Sequence, residues 1–359
     1  MANSNLASAR KAKNDEFYTQ YPDIEKEVTA YIEYNPDVFK GKTILLPCDD
    51  PEWSNFTKFF AQNFKRFGLK KLISTSFAAE SKNFKTDYQP TLFEKEDPKF
   101  DKNKTTKNGK IFTLTRDKTG DGKVDVEDLE WGYLKGDGDF KSDEIKKLRD
   151  EADIIITNPP FSLFRDFLAW VVESEKQFVM IGNKNAVTYK EVFPLVKNNK
   201  LWSGRTEWSG GLWFETKNPD DVDKVINGIN MKNVSSVWFT NIDHGRRHEH
   251  IPLMTMEDNL KYSKHKEIKG KDSYDKYDNY NAIEIPFTDA IPSDYDGVMG
   301  VPISFLDKYS PEQFEIVGAT ESEGKGFSNG LWDETSKVAQ PLIDGERVYK
   351  RIFIKHRKK

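Results

Sequence analysis

The sequence predicts an α/β fold built on a mostly parallel sheet, and three stretches predict it. Asp153–Thr157 is a short, β-branched apolar run that stops at Asn158-Pro159-Pro160. Leu163, Phe164, Phe167, Leu168 and Val171 then follow at helical spacing, with Ser162 suited to the cap. Lys42–Pro47 is a second buried run, ended by Cys48-Asp49-Asp50-Pro51 and followed by a helix from Ser54-Asn55-Phe56 to about Phe67. Phe178–Gly182 is a third. Strands that alternate with helices need crossover connections, and crossovers make parallel neighbours.

Before the first of these strands, Asn14–Thr19 is polar and aromatic, and Asp23 suits the cap of a helix carrying Ile24, Val28, Tyr31 and Ile32. Leu72–Phe77 is the next strand. Its Ser74-Thr75-Ser76 end carries no acid, and Glu80 is the nearest. Lys85–Lys110 is a charged excursion, and Ile111–Thr115 is an exposed strand. Asp117–Asp128 imitates a calcium loop, with acids at positions one, five, nine and twelve and Gly122 at six. Thr119 at position three, Asp128 in place of a bidentate Glu, and a preceding strand favour a Gly-turned hairpin between Thr115 and Val124 instead.

The Gly136–Phe140 loop precedes a helix at Ser142–Glu151, and its glycines allow close backbone approach to a ligand. Asp139 could accept from an exocyclic amine and Phe140 could pack on its ring; the plain alternative is an Asp-Gly turn with a core Phe. Leu212–Glu215 and Ser236–Asn241 read as an antiparallel hairpin closing the sheet. The character changes at Asp243, which divides the chain into 1–242 and 243–359.

His244-Gly245-Arg246-Arg247-His248-Glu249-His250 is basic. Its histidines lack the helical spacing of a metal site, so no metal is expected and Arg246 and Arg247 read as phosphate-facing. Lys261–Tyr280, with Lys261 and Lys264, is poor in aliphatic residues and reads as a mobile loop. Strand patterns return at Ile283–Phe287, Val298–Phe305 and Phe314–Gly318. Lys350–Lys359 alternates basic and apolar residues, the plain reading being a solvated tail.

Composition narrows the function classes. A single cysteine excludes an internal disulfide and a cysteine zinc site, and it fits a reducing compartment. No apolar run is long enough to span a membrane. A net charge of −4 argues against nonspecific coating of a polyanion, but a local basic cleft is compatible with it. With 25 Phe and 14 Tyr, the core is expected to be aromatic.

The Asn158–Phe161 loop, placed at the carboxyl end of a strand, restricts the chemistry. The Asn158 amide oxygen and the Pro159 carbonyl are two acceptors held close together. Between them they can hold both hydrogens of an exocyclic amine. Pro160 stiffens the loop, and Phe161 offers a face for a stacked base. An aryl amine is a poor nucleophile because its lone pair is delocalised. Two acceptors favour a pyramidal nitrogen whose lone pair can attack an activated methyl in line. No covalent enzyme intermediate is required.

These segments together resemble the EcoRI-type adenine-specific DNA methyltransferases. The resemblance is carried by Lys13–Thr19, Cys48-Asp49-Asp50-Pro51 with Ser54-Asn55-Phe56, Gly136–Phe140 and Thr157–Arg165. Asp294-Tyr295, Gly297, Met299–Ile303 and Pro311–Glu315 extend it over almost the whole chain. It implies a Rossmann-like methyltransferase sheet, mostly parallel with an antiparallel closing hairpin, and a C-terminal DNA-recognition region. It implies S-adenosyl-L-methionine as cofactor, seated by Asn14, Phe17, Tyr18, Thr19, Cys48, Asp49, Asp50, Asp139, Phe140 and Asn158. It implies double-stranded DNA with a flipped-out adenine as substrate, bound by Arg246, Arg247, Lys261 and Lys264. A monomer in the cytoplasm of a bacterial or phage-infected cell, beside an independently acting restriction endonuclease, fits the same resemblance. The turn at Cys48 departs from the general glycine-rich pattern. Two other readings stay open: methylation of an RNA adenine or a protein glutamine amide, and a DNA-binding module on an inactive methyltransferase fold.

Overall fold

A computed structural model describes residues 18–49, 54–78, 98–216, 219–320, 331 and 339–357. The chain divides into two compact units, Met1–Asn183 with Gly204–Ile242, and Lys184–Ser203 with Asp243–Lys359.

In the first unit, β1 (Tyr18–Thr19) leads into helix α1 (Tyr21–Tyr34), which buries Ile24, Val28 and Tyr31. The helix starts at Tyr21, so Asp23 lies inside the first turn rather than capping it. Strand β2 (Thr43–Leu46) is wholly buried. Helices α2 (Asn55–Gln62) and α3 (Phe64–Phe67) follow. Ser54 caps α2 by accepting from the Phe56 N–H at 3.1 Å. Next come β3 (Lys71–Ser76), α4 (Lys102–Lys107), β4 (Lys110–Leu114), β5 (Glu130–Tyr133), α5 (Asp143–Glu151) and β6 (Ile154–Thr157). Helix α6 (Phe164–Glu173) and β7 (Gln177–Asn183) complete this run. After residues 184–203, which include β8 (Trp202–Ser203), the chain returns through β9 (Leu212–Glu215), β10 (Lys224–Ile226), β11 (Ile229–Val234) and β12 (Ser236–Thr240).

The main sheet of this unit runs β5-β4-β3-β2-β6-β7-β12. Its centre, β3-β2-β6-β7, is parallel, as apolar runs buried on both faces require. β4 and β5 continue one side antiparallel, and β12 pairs antiparallel with β7 on the other. The predicted closing hairpin is therefore half right. Leu212–Glu215 is not its second arm but pairs with β1 and β11 in a separate antiparallel sheet, β1-β9-β11-β10.

The expected hairpin from Thr115 to Val124 is also displaced, because β4 pairs with Glu130–Tyr133. The intervening loop is folded around its own acids. Asp128 accepts from the Lys118 and Thr119 N–H groups at 2.8 and 2.9 Å, and Asp117 accepts from those of Gly120 and Gly122. Backbone donors thus take up the carboxylates that the calcium-loop pattern offers to a cation.

The aromatic core forms as expected. Phe39, Phe59, Phe60 and Phe67 cluster beside the sheet, with Phe59 and Phe60 edge to face at 5.2 Å. A buried carboxylate locks this unit where the chain returns. Glu27, fully buried in α1, accepts from the Arg205 N–H at 2.7 Å, the Thr206 N–H at 2.8 Å and the Tyr31 hydroxyl at 2.6 Å.

The second unit holds the sheet β13 (Ile283–Glu284), β14 (Met299–Pro302), β18 (Arg351–His356) and β15 (Phe314–Ala319), in that order, and a small β16 (Leu342–Ile343)–β17 (Glu346–Arg347) pair. The segment read as a solvated tail is thus a central strand, with Ile352, Phe353 and Ile354 fully buried. The segment expected to be a mobile loop is also structured. It starts in the last turn of helix α8 (Met256–Tyr262), which follows the short α7 (Phe193–Lys197), and it buries Ile268, Tyr274, Tyr277 and Tyr280. Tyrosines supply the apolar area that aliphatics usually give. Arg351 pairs side-on with buried Glu284, its Nη2 at 2.5 Å, and the Tyr277 hydroxyl donates to the same carboxylate.

One glycine in the main sheet has no room to change. A Cβ on Gly182 of β7 would fall 2.2 Å from the Phe164 ring, which is itself buried against Phe239. Because Phe164 opens α6, Gly182→Ala should destabilise the protein by about 1–3 kcal/mol through overpacking. Thermal denaturation checks this; an unchanged melting temperature would show that the helix can move away.

Candidate active site

The carboxyl ends of β3, β2 and β6 lie side by side along one edge of the parallel sheet, where open α/β sheets place their ligands. β6 ends in the Asn158–Phe161 loop. Pro159 is buried, Asn158 and Phe161 are half-buried, and the Asn158 Oδ1 is closed to solvent. A 3-10 turn at Phe161–Leu163 precedes α6, whose N-cap is Leu163 without a side-chain cap. Ser162 therefore lies within the turn and does not cap the helix. The Phe161 ring meets fully buried Phe214 edge to face at 6.3 Å.

The neighbouring strand β2 ends in Pro47-Cys48-Asp49. Cys48 has φ +66°, a left-handed conformation that glycine adopts freely and that costs other residues about 1–2 kcal/mol. Where a glycine-rich turn was missing in the sequence, the backbone still takes the glycine conformation. Asp49 is buried, and one of its carboxylate oxygens accepts from the Ser54 hydroxyl at 2.9 Å.

The Gly136–Phe140 loop sits against the end of β3. The Ala78 N–H donates to the Asp137 carbonyl at 2.8 Å, and a Cβ on Gly138 (φ +91°) would lie 2.4 Å from the Ser76 carbonyl oxygen. Asp139 is half-buried, and its Oδ1 accepts from the Lys141 N–H at 2.9 Å. Phe140 is 3% exposed and packs on Phe167 at 4.8 Å and Trp170 at 5.8 Å. Its ring is thus occupied by α6, the core role that the sequence left open as the alternative to stacking on a ligand.

Tyr18 and Thr19 join this neighbourhood through β9, with Thr19 opposite Phe214 and its carbonyl accepting from the Asn55 side chain at 2.8 Å. The structure therefore gathers Thr19, Asn55, Phe214 and Phe161; the sequence marks Asn55 only within Ser54-Asn55-Phe56 and gives Phe214 no place here. Only the aromatic richness of Leu212–Glu215 hinted at it. Asn14, Phe17 and Asp50 lie outside the described residues.

In the second unit, the arginine pair has a different setting from the one expected. Arg246 pairs with Asp307 at 2.8 Å, and both side chains are about nine-tenths buried. Arg247 is equally buried. It donates to Asp243 at 3.3 Å and Asn199 at 3.2 Å, with its guanidinium 3.8 Å from the Trp202 ring centre. Both guanidiniums are engaged inside the protein, so gripping phosphate would first require breaking buried pairs. Lys261 is exposed, with its ammonium over the Tyr262 ring at 5.2 Å, and Lys264 is exposed and pairs with Asp289 at 2.7 Å. Among the described residues there is no group of three or more His, Cys, Asp or Glu arranged to hold a metal ion.

A site with two acceptors at one strand end and a buried acid at the next suits an enzyme that acts on a planar amine. The comparisons give that class its family. Residues 5–357 match the family described as the adenine-specific methyltransferase EcoRI, and the chain belongs to it. It is 37% identical to the type II methyltransferase M.EcoRI of Escherichia coli, over 99% of this chain and 97% of the relative. It is 34% identical to M.MpnI of Mycoplasma pneumoniae and 34% identical to M.MgeORF184P of Mycoplasma genitalium, each over 97% of both chains. No solved structure matches it.

Two outcomes follow from the arginine loop. Arg246→Ala leaves Asp307 buried without its guanidinium and should cost about 3 kcal/mol or more of stability, read by denaturant unfolding. A variant as stable as the parent would mean that the pair is solvated. The second concerns His248, whose ring touches Asp243 at 3.0 Å and Glu312 at 2.8 Å, with Arg247 sharing Asp243. Burial disfavours its charge, but hydrogen bonds and charge from Glu312 and Asp243 prevail and raise its pKa above 6.5. The stabilisation is therefore complete below pH 6.5 and is lost as pH rises through the raised value. The melting temperature should fall over that interval in the parent and lose this fall in His248→Gln. Identical pH profiles would contradict it.

Proposed function

We propose that this protein is a site-specific DNA methyltransferase that methylates N6 of an adenine flipped out of duplex DNA, with S-adenosyl-L-methionine as methyl donor. One observation carries the reading. The Asn158–Phe161 loop stands at a strand end beside the acidic turn of the next strand, in a chain that belongs to the adenine-specific EcoRI family.

The residues present suit such a cofactor. Asp49 is a buried carboxylate held by Ser54 and suits the ammonium of a methionine moiety. Cys48 lies in the same turn, Tyr18 and Thr19 reach the helix after it through the Asn55 side chain on the Thr19 carbonyl, and the half-buried Asp139 can accept from an adenine amine in a loop whose backbone is tightly packed. When bound, the cofactor supplies a methyl group activated by a sulfonium. The protein's own part is to prepare the nucleophile. Asn158 and the Pro159 carbonyl accept the two amine hydrogens, Pro160 holds the loop, and Phe161, braced by Phe214, offers its face to the extruded base. The amine's lone pair is thereby directed at the methyl group, and the surplus proton leaves through solvent or the loop acceptors.

Residues 1–242 form the catalytic domain in this reading, and 243–359 the target-recognition region. With Arg246 and Arg247 engaged internally, DNA phosphates are met chiefly by the exposed lysines Lys261, Lys264, Lys266 and Lys269. The enzyme works as a monomer in a bacterial cytoplasm, beside a restriction endonuclease that acts independently. No helix among the described residues is long and apolar enough to cross a membrane.

Labelled methyl transfer offered to duplex DNA, RNA and protein extract tests the substrate. Label should appear in duplex DNA, and Asn158→Ala should lower turnover by roughly 100-fold or more while sparing cofactor binding. Label in RNA or on glutamine, or near-normal turnover by the variant, would overturn the reading. For the DNA surface, Lys261→Ala/Lys264→Ala should flatten the log-log salt dependence of DNA affinity by about two units. Parallel slopes would place the phosphate contacts elsewhere.

A further inference from the structure

The turn after β2 is gripped from both sides by buried hydroxyls. On one side, the Thr157 hydroxyl, at the end of β6, donates to the Pro47 carbonyl at 2.7 Å. On the other, the Ser74 hydroxyl of β3 donates to the Asp49 carbonyl and accepts from Thr57 at 2.9 Å. Thr157, Ser74 and Thr57 are each 0% exposed. The two gripped carbonyls bracket Cys48, the residue in the left-handed conformation. The ladder registers Ile44 with Ile154 and Leu45 with Ile155, and two residues further on the Thr157 side chain still ties β6 to the end of β2. A valine has nearly the shape of threonine and would fill the same buried space, but only the hydroxyl can donate to the carbonyl.

We propose that Thr157 and Ser74 are positioning residues that hold the Cys48 turn in its high-energy conformation, and that Thr157 couples this turn to the catalytic loop. Thr157 directly precedes Asn158, so a single side chain fixes the spacing between the acceptor for the amine and the carboxylate at Asp49. A strained residue persists only where its surroundings over-determine it, and two flanking strands do so here. The proposal rests on the assignment of Asn158 to the amine and of the Asp49 turn to the cofactor.

The test compares Thr157→Val, Thr157→Ser and Ser74→Ala with the parent, using calorimetric binding of S-adenosyl-L-methionine, kcat and cofactor KM on duplex DNA, and melting temperature. Loss of one buried hydrogen bond corresponds to roughly tenfold. Thr157→Val should therefore weaken cofactor binding by about that factor and lower kcat by a similar one, since it releases both sides. Thr157→Ser should restore both. Ser74→Ala, gripping only the cofactor side, should raise KM more than it lowers kcat. If Thr157→Val binds cofactor and turns over like the parent, whatever its melting temperature, the coupling is refuted. Failure of the serine to restore function refutes the role of the hydroxyl. Should Thr157→Val not fold, the Thr157→Ser and Ser74→Ala measurements still decide. An active Asn158→Ala would overturn the catalytic assignment, whereas the calorimetry judges the grip on the turn by itself.

Discussion

Two adjacent parallel strands, Thr43–Leu46 and Ile154–Thr157, are held together at both ends by side chains as well as by their ladder. At the start, the Asp153 carboxylate accepts from the Thr43 N–H at 2.8 Å. At the end, Thr157 donates to the Pro47 carbonyl. The two turns at the centre of the candidate site leave the carboxyl ends of that pair. The acidic turn leaves one strand and the Asn-Pro-Pro-Phe loop leaves its neighbour, about one inter-strand spacing of 4.8 Å away. The loop at Gly136–Phe140 approaches from β3 on the other side. Chemistry that needs sub-ångström alignment is built on rigid sheet ends, and the surrounding helices supply bulk.

The same logic explains the aromatic support. α6, which follows the Asn158–Phe161 loop, buries Phe164, Phe167 and Trp170. Phe140 packs on two of them, so the Gly136–Phe140 loop and α6 share one aromatic cluster. Phe161 is braced in turn by Phe214 from a separate sheet, which also receives Tyr18 and Thr19. Tyr18–Thr19 and the Asn158–Phe161 loop, far apart in sequence, are thereby joined through Leu212–Glu215.

The parallel centre of the fold was readable because its strands are unbroken apolar runs with clear stops, as in Ile154–Thr157 before Pro159. What misled was local pattern without knowledge of the partner. Leu212–Glu215 and Ser236–Thr240 are both aromatic strands, and nothing in either says that they join different sheets. Arg351–His356 alternates basic and apolar residues at the chain end, which a surface tail does equally well; only its neighbours β14 and β15 make it central. Lys261–Tyr280 looked unable to form a core because aliphatics are scarce, yet tyrosines do the packing there. The Asn158–Phe161 loop was legible as the turn that ends a buried strand. Its supports were not, since the hydroxyls of Thr157 and Ser74 have no motif and gain meaning from strand order alone. Arg246 and Arg247 illustrate the converse: a cationic cluster shows charge, but whether it faces a phosphate or a buried carboxylate is a tertiary fact.

An adenine methyltransferase built on this strand pair leaves its product in the DNA of the cell that makes it. Sequencing modified bases in DNA from cells that express the protein tests it most directly. N6-methyladenine is expected at one recurring sequence, and is expected to be absent when the expressed protein carries Asn158→Ala. Unmodified adenine throughout, or methyl groups on cytosine, would contradict it.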